Sequence, residues 1–378
     1  MPRVGSGYAG WWSVGDVGDL FTLCDLRAKN RQLAEIELQA NTRTDRLAAS
    51  APKVSVVIGA TPGSVALQRT LRAVAGQTLA RSQYEVIVVN TAPHDPFARH
   101  AVAQIRAECF GDTPDQIRLV DCPFPGLPHA QNAGLSDARG EYVVFLGQNT
   151  TPSAQCLEWF LRGFEEHPNA GVIGGHVRLQ VPTPRPPACP AGREALWHQF
   201  LTAHTGYVEA TEWWEYPYPD NWAARRRALV EIGGIRCNWG HTGADFTAGQ
   251  EIAAASLVRQ LGHDVAIEPR AQAVHAVDLD GYTETYAAKA IYAGITAHYR
   301  LQQCLYLPRR SLSGLWRDLK RASLSALRDR TNGRCERETE NSLVNKRYDR
   351  EIFRARLAVF RLAMGDLVRR SRRAVTNG

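Results

Sequence analysis

Four short apolar runs, set apart by segments of helical length, constrain this chain more than any other feature in it. They are Val54–Ile58, Tyr84–Val89, Ile117–Val120 and Tyr142–Leu146. Nearly continuous β-branched and aromatic runs of this kind suit strands buried on both faces of a sheet. The segments between them carry apolar residues at helical spacing: Ser64 to Gly76 with Leu67, Leu71 and Val74, then Pro96 to Cys109, then Ala130 to Ala138, closed by Arg139-Gly140. Alternating strands and helices imply an α/β protein built on a doubly wound, mostly parallel sheet. In such sheets ligands collect beyond the carboxyl ends of the strands. Here those ends read Gly59–Gly63, Asn90-Thr91-Ala92 and the polar tip Gly147–Pro152.

Beyond Pro152 the same alternation continues. Cys156 to Glu166 and Gly249 to Leu261 read as helices, and Ala170–Gly175, Val177–Val181, Val265–Ile267 and Ala271–His275 as strands. The proline-dense run Pro182–Pro190 reads as an extended loop within the domain. Thr211 to Trp222 sets five aromatics beside Glu212, Glu215 and Asp220. Aromatic faces and carboxylates bind sugars, but the same composition also suits a loop buried on the core, and the pattern leaves both open.

Helical patterns flank this domain, in residues 1–50 (Val17 to Leu47, with Trp11-Trp12 before it) and in residues 281–378. The net charge of +7 belongs to the second of these: from Arg309 onward there are 19 Lys and Arg against 8 Asp and Glu. No nucleic-acid-binding pattern accompanies that charge, so nucleic acid is not expected as a partner. A basic amphipathic helix such as Asn341 to Arg373 suits peripheral contact with an anionic membrane, packing on the domain, or contact with a second copy in a homo-oligomer. No apolar run is long enough to span a bilayer and no apolar leader opens the sequence, so a cytoplasmic protein, soluble or peripheral at the membrane, is expected. The eight cysteines form no metal-binding pattern and read as free thiols.

The segment Gly126–Pro152 resembles the middle of a family 2 glycosyltransferase of the GT-A fold, whose pattern is A-R-N-x-G-x-x-x-A-x-G-E-Y-x-x-F-L-D-D-D-x-x-P. Asn132, Gly134, Ala138, Gly140, Glu141, Tyr142, Phe145, Leu146 and Pro152 match it. Val54–Ile58, Gln77 and Glu85–Val89 resemble the nucleotide-binding half. Asn221, Arg225, Arg226, Ala228, Leu229, Gly233 and Gly234 resemble the acceptor side, and Gly249, Arg259, Gly262, Pro269, Ala273 and His275 the last motif. The resemblance implies a GT-A (Rossmann-like) doubly wound mixed sheet flanked by helices over residues 51–280. It also implies a nucleotide-sugar donor and a small-molecule or peptide acceptor. The donor would meet Thr61, Asn90, Gln131, Gln148, Asn149, Arg225 and Arg226, and the acceptor Trp213, Trp214, Tyr216, Asp220, Asn221 and Trp222. Glu251, with Asp245 as a second candidate, would be the base of an inverting transfer.

Four departures qualify the resemblance. The family's metal-holding acidic triplet reads Gly147-Gln148-Asn149, its base-contacting aspartate is Asn90, its A-R-N arginine is Gln131, and its E-D pair is Gln250-Glu251. The first expectation is therefore a metal-independent transferase in which arginines replace the cation. Mg²⁺ or Mn²⁺, with His275 as a lone candidate ligand, is the lesser alternative. The second expectation is a lapsed or repurposed GT-A protein acting as a partner subunit or in another reaction.

Overall fold

The computed structural model describes residues 51–376 except 62–65, 187, 190, 192–193, 195–199, 212–214, 218, 238–248, 278–282, 305–310 and 332–339. The helical reading of residues 1–50 lies outside the described residues, as do Trp213, Trp214 and Asp245. The strands are β1 (Val54–Ala60), β2 (Tyr84–Asn90), β3 (Ile117–Asp121), β4 (Tyr142–Leu146), β5 (Thr150–Pro152), β6 (Ala170–Gln180), β7 (Val208–Glu209), β8 (Asn221–Arg225) and β9 (Asp264–Ala276). The α-helices are α1 (Ala66–Ala75), α2 (Phe97–Cys109), α3 (Leu127–Asp137), α4 (Cys156–Glu166), α5 (Arg226–Glu231), α6 (Gln250–Gln260), α7 (Glu284–Cys304), α8 (Leu312–Thr331) and α9 (Glu340–Thr376).

The strands form one mixed sheet in the order β3-β2-β1-β4-β8-β6-β9-β5, with β7 beside β9. β1 to β4 are mutually parallel, as the apolar runs imply. Their side chains alternate between two cores. Val54, Val56 and Ile58 of β1 pack with α1, α2 and α4 through Leu67, Leu71, Val102, Ile105, Phe160 and Phe164. Val57 points to the opposite face and joins Ala130, Leu135, Leu229, Ile252 and Val258 of α3, α5 and α6. Close approach on that face requires Gly134, because a Cβ there would lie 2.3 Å from Cγ1 of Val57.

Three elements differ from the sequence reading. Helix α3 starts at Leu127 instead of Ala130, because Pro128 sits in the first turn, where no backbone N–H is needed. Each pair of short strands at 170–181 and 265–275 is one long strand, with a register irregularity at Gly175/His176 where β6 meets β9. Strand β8, Asn-Trp-Ala-Ala-Arg, has little intrinsic strand preference and is ordered by antiparallel pairing to both β4 and β6.

The C-terminal helices close over the far part of the sheet. Val344 and Tyr348 of α9 and Ala287 and Ile291 of α7 bury against Leu179, Cys189 and Val277, and the Tyr348 hydroxyl donates to the carbonyl of Ala188 at 2.6 Å. Trp316 and Leu324 of α8 and Met364 of α9 stay exposed. Among the described residues no helix is long and apolar enough to cross a membrane. The described cysteines, Cys109, Cys122, Cys156, Cys189 and Cys237, are free thiols, as expected.

Candidate active site

The carboxyl ends of β1, β2 and β4 lie side by side, and the polar groups there hold one another in place. At the β4 tip, Oε1 of Gln148 accepts from the backbone N–H of Thr61 (2.7 Å) and Nε2 of Gln148 donates to Oγ1 of Thr61 (2.5 Å). The Thr70 hydroxyl fixes the same turn by donating to the Gln148 carbonyl at 2.8 Å. Gln148 therefore ties the tip of β4 to the end of β1.

Next along the tip, Nδ2 of Asn149 donates to the carbonyl of Ala276 at 3.1 Å and lies 3.3 Å from Nε2 of His275. The carbonyl can only accept, which fixes the orientation of the Asn149 amide. Nε2 of His275 is then the acceptor, and Nδ1 carries the ring hydrogen. Nδ1 lies 3.0 Å from Oδ2 of Asp220. Oγ1 of Thr150 lies 3.3 Å from the same nitrogen. His275 reaches this place because β9 pairs antiparallel with β5, setting His275 opposite Thr150. Asp220 reaches it because β8 pairs antiparallel with β4, setting Asn221 opposite Leu146. Helix α7 contributes Tyr286: burial, with the charge of Asp220 adding to it, pushes this phenol up to about 12.

At the β2 tip, Asn90 is buried and locally satisfied. Its Nδ2 donates to Oδ1 of Asp121 at 3.1 Å and its Oδ1 accepts from the N–H of Ala92 at 3.1 Å. The carboxylate at this part of the site belongs to Asp121, in register with Asn90 on β3 and also bound by Arg99 at 2.8 Å. Gln131 sits inside α3, buried, with no hydrogen bond to its Oε1 among the described residues.

Helix α6 leads down into β9, whose first residues pair with the start of β6 at the amino end of the parallel strands. Its own N-terminus therefore faces the ligand end. Glu251 lies in that first turn, buried, accepting from Nε2 of Gln250 at 2.6 Å.

Several expected contacts are corrected by the direction of β8. Because that strand runs antiparallel to β4, it returns to the β4 start, and Arg225 lies opposite Tyr142. There it donates to the carbonyls of Ala170 (2.8 Å) and Pro168 (2.8 Å) and to Glu141 (3.1 Å). The Arg226 N–H bonds the Glu141 carbonyl at the same end. Neither residue is at the ligand end, so neither is placed to hold a diphosphate. Trp222 is fully buried and stacks on Phe145 at 4.5 Å. Tyr216 is in the same core. Asn221 is buried as a bridge, donating to the carbonyls of His176 (3.1 Å) and Ala271 (2.8 Å). These three are structural and not acceptor contacts, and Asp220 belongs to the β4 tip. Sequence reasoning missed Thr150, Tyr286 and Asp121. Only Asp121 had a visible signal, as the acid ending an apolar strand run.

A doubly wound sheet with polar groups gathered at these strand ends belongs to the α/β proteins that bind ligands beyond the carboxyl ends of their strands. Within it, residues 55–233 match the Glycosyl transferase family 2 profile. Among curated relatives, glycosyltransferase AglE of Haloferax volcanii is 31% identical over 134 residues, 35% of this chain and 41% of that protein. The glucosyl-dolichyl phosphate glucuronosyltransferase of the same organism is 22% identical over 167 residues, 44% of this chain and 52% of that protein. The matched segments thus span about half or less of these relatives. Among solved structures, the mannosyltransferase PcManGT from Pyrobaculum calidifontis, in complex with GDP-Man and Mn²⁺, aligns with a TM-score of 0.54 at 18% identity, covering 89% of this chain and 99% of that one. The fold is therefore GT-A.

Proposed function

We propose that this chain transfers a sugar from a nucleotide-sugar to an acceptor nucleophile with inversion. The observation that carries the reading is the convergence of Thr61, Gln148, Asn149, Asp220 and His275 from four parts of the chain on the strand end where a family 2 domain would bind its donor. Glu251 is the proposed base: it keeps a carboxylate at the ligand end of α6, where it can take the acceptor proton once the acceptor reaches it.

The metal-free form of this reading rested on Arg225 and Arg226, and β8 carries both away from the site. A divalent cation at the β4 tip would meet two side chains of this protein. Asp220 offers a carboxylate and His275 an imidazole at one strand tip, and Mg²⁺ or Mn²⁺ is commonly held by one or two carboxylates with substrate phosphates and water completing the shell. A cation there would offset charge on the departing diphosphate. The protein's own groups would position the donor: the Gln148–Thr61 bonds fix the floor of the site, and Asp121, steadied by Asn90, presents a hydrogen-bond acceptor at the nucleoside end.

Calorimetric titration of the full chain with UDP, GDP and dTDP, in Mn²⁺ and then in EDTA, followed by turnover assays with the sugars of whichever nucleotide binds, tests the reading. Binding of one nucleotide class with sugar release is expected. Absence of nucleotide binding under both conditions would overturn it in favour of a partner-subunit role.

A further inference from the structure

Helix α8 carries apolar residues on two sides, and the fold uses only one of them. Leu315, Leu319 and Ala322 are buried. On the other side Trp316, Arg317, Lys320, Arg321 and Leu324 are all exposed. Their spacing of three and four sets them along a single face of the helix. Leu324 keeps 58% of its surface open and Trp316 48%. The stripe continues onto α9. The Trp316 ring lies 5.4 Å from that of Phe360, and Met364, one turn beyond Phe360, is 40% exposed. The antiparallel course of the two helices is held by Arg356 on Asp318 (3.6 Å) and by the Ser325 hydroxyl donating to Asp349 (3.1 Å).

The charge of this face is one-sided. Arg317, Lys320, Arg321 and, on α9, Arg361 have no acidic partner among the described residues, while the acids beside them are already engaged, Asp318 by Arg356 and Glu351 by Arg354 at 2.6 Å. At the start of α8 a cleft of about 380 Å³ is lined by Ser311, Gly314, Arg317, Asp318 and Arg321, so two arginines border an opening larger than a phosphate group. An anionic lipid surface makes use of both features. Phosphates meet the cations, and apolar side chains enter the boundary between headgroups and acyl chains. Tryptophan is favoured at that depth, and long basic side chains reach back to the phosphates from it. A second copy fits poorly. An isologous contact would set Arg317, Lys320 and Arg321 against their own equivalents, and three partly exposed apolar side chains supply well under the roughly 800 Å² per partner that a stable interface buries. Nucleic acid would meet the cations and leave Leu324 and Met364 without a use.

We propose that the outer face of α8, with Phe360 and Met364 of α9, docks the protein on a membrane surface rich in anionic phospholipid. The contact is peripheral: the helix lies along the interface, and among the described residues no helix is long and apolar enough to cross it. The proposal stands apart from the transferase reading, because the residues that carry it belong to the C-terminal helices and none of them is at the strand ends.

The test is flotation of the full chain with vesicles of phosphatidylcholine alone, and of phosphatidylcholine mixed in equal parts with phosphatidylglycerol, at low and at high salt. Wild type should float with the anionic vesicles, stay behind with the neutral ones, and be released by high salt, which screens charges at an exposed surface. Two variants separate the contributions. Arg317→Gln with Lys320→Gln and Arg321→Gln should weaken binding about 100-fold, each cation being worth about fivefold. Trp316→Ser with Leu324→Ser should weaken it about 10-fold and leave the salt dependence unchanged. All five positions are exposed, so both variants should keep the wild-type melting temperature. Wild type that does not float, wild type that floats equally with neutral vesicles, or a charge variant that floats as wild type does overturns the proposal. Duplex DNA bound as tightly as the anionic vesicles, with no loss on changing Trp316 and Leu324, overturns it in favour of nucleic acid. A dimer in sedimentation velocity that the same change dissociates overturns it in favour of a second copy.

Discussion

The two ends of the parallel sheet each hold a buried carboxylate, and their partners differ. At the amino end, Glu85 of β2 accepts from Ser55 Oγ (2.7 Å), the Arg139 N–H (2.8 Å), Arg139 Nε (2.7 Å) and Arg118 Nη1 (2.6 Å). At the carboxyl end, Oδ2 of Asp220 lies 3.0 Å from Nδ1 of His275. A guanidinium keeps its charge at any pH a protein meets, so Glu85 is neutralised for good. The same chemical group is a strand clasp at one end and, at the other, lies where the proposed chemistry takes place. Changes at the carboxyl end should alter chemistry with the fold intact, and changes at the amino end should do the opposite.

The largest effect belongs to Glu251. If it is the base, Glu251→Gln should lower the turnover rate by about 10²- to 10⁴-fold. Donor affinity and melting temperature should stay near wild type, because Gln preserves the shape of the first turn of α6. Single-turnover kinetics beside nucleotide calorimetry separates these quantities. Turnover at the wild-type rate would remove Glu251 from the mechanism and break the assignment of chemistry to this end of the sheet.

Glu85→Gln comes next and should act on stability alone. Gln removes the charge that accepts from Ser55, Arg118 and Arg139, while Arg118 keeps Asp137 at 2.7 Å, so the cost is that of the lost charge-assisted hydrogen bonds, about 2 to 3 kcal/mol, read as a lower urea midpoint. The pH dependence follows from the same contacts. Burial pushes the Glu85 carboxyl up, but the hydrogen bonds from Arg118, Ser55 and the Arg139 backbone outweigh it and hold the group below its ordinary value of 4.5. A group depressed in the folded state contributes stability above its unfolded value and loses that contribution as pH falls through its folded value. The wild type should therefore lose stability below about pH 4.5 more steeply than Glu85→Gln does. Parallel acid limbs would mean that Glu85 is not the clasp described.

These two ends were not equally legible in the sequence. The amino end was readable because parallel strands announce themselves as β-branched runs, though the role of Glu85 as a clasp was not read. The absence of carboxylates from Gly147, Gln148 and Asn149 was equally plain. What could not be read was which carboxylate stands beside them. Asp220 is distant in sequence from Gly147 and meets it only because β8 pairs antiparallel with β4. Nothing in Asn-Trp-Ala-Ala-Arg marks a strand, since its order comes from its two neighbours and not from its own residues. The same blindness put Tyr216, Asn221 and Trp222 on the acceptor: an aromatic-rich loop and a buried aromatic strand have the same composition. It also sent Arg225 to the wrong end of the sheet.

Arg225 supplies the smallest effect and the sharpest control on that correction. Its side chain spans the starts of β4 and β6, donating to the carbonyls of Phe164, Pro168 and Ala170 and lying 5.2 Å from the Tyr142 ring. A charged donor shared among backbone carbonyls is worth about 2 kcal/mol, which sets the expected loss of stability for Arg225→Gln. Arg225→Lys should recover little of it, because an ammonium cannot reproduce the planar fork that reaches three carbonyls together. If Arg225 instead held the donor diphosphate, both variants would raise the donor KM and weaken nucleotide binding. With the residue at the amino end of the sheet, KM and nucleotide affinity should stay at their wild-type values while the urea midpoint falls. A raised KM at an unchanged midpoint would reverse the placement of β8, and with it the separation of clasp from site.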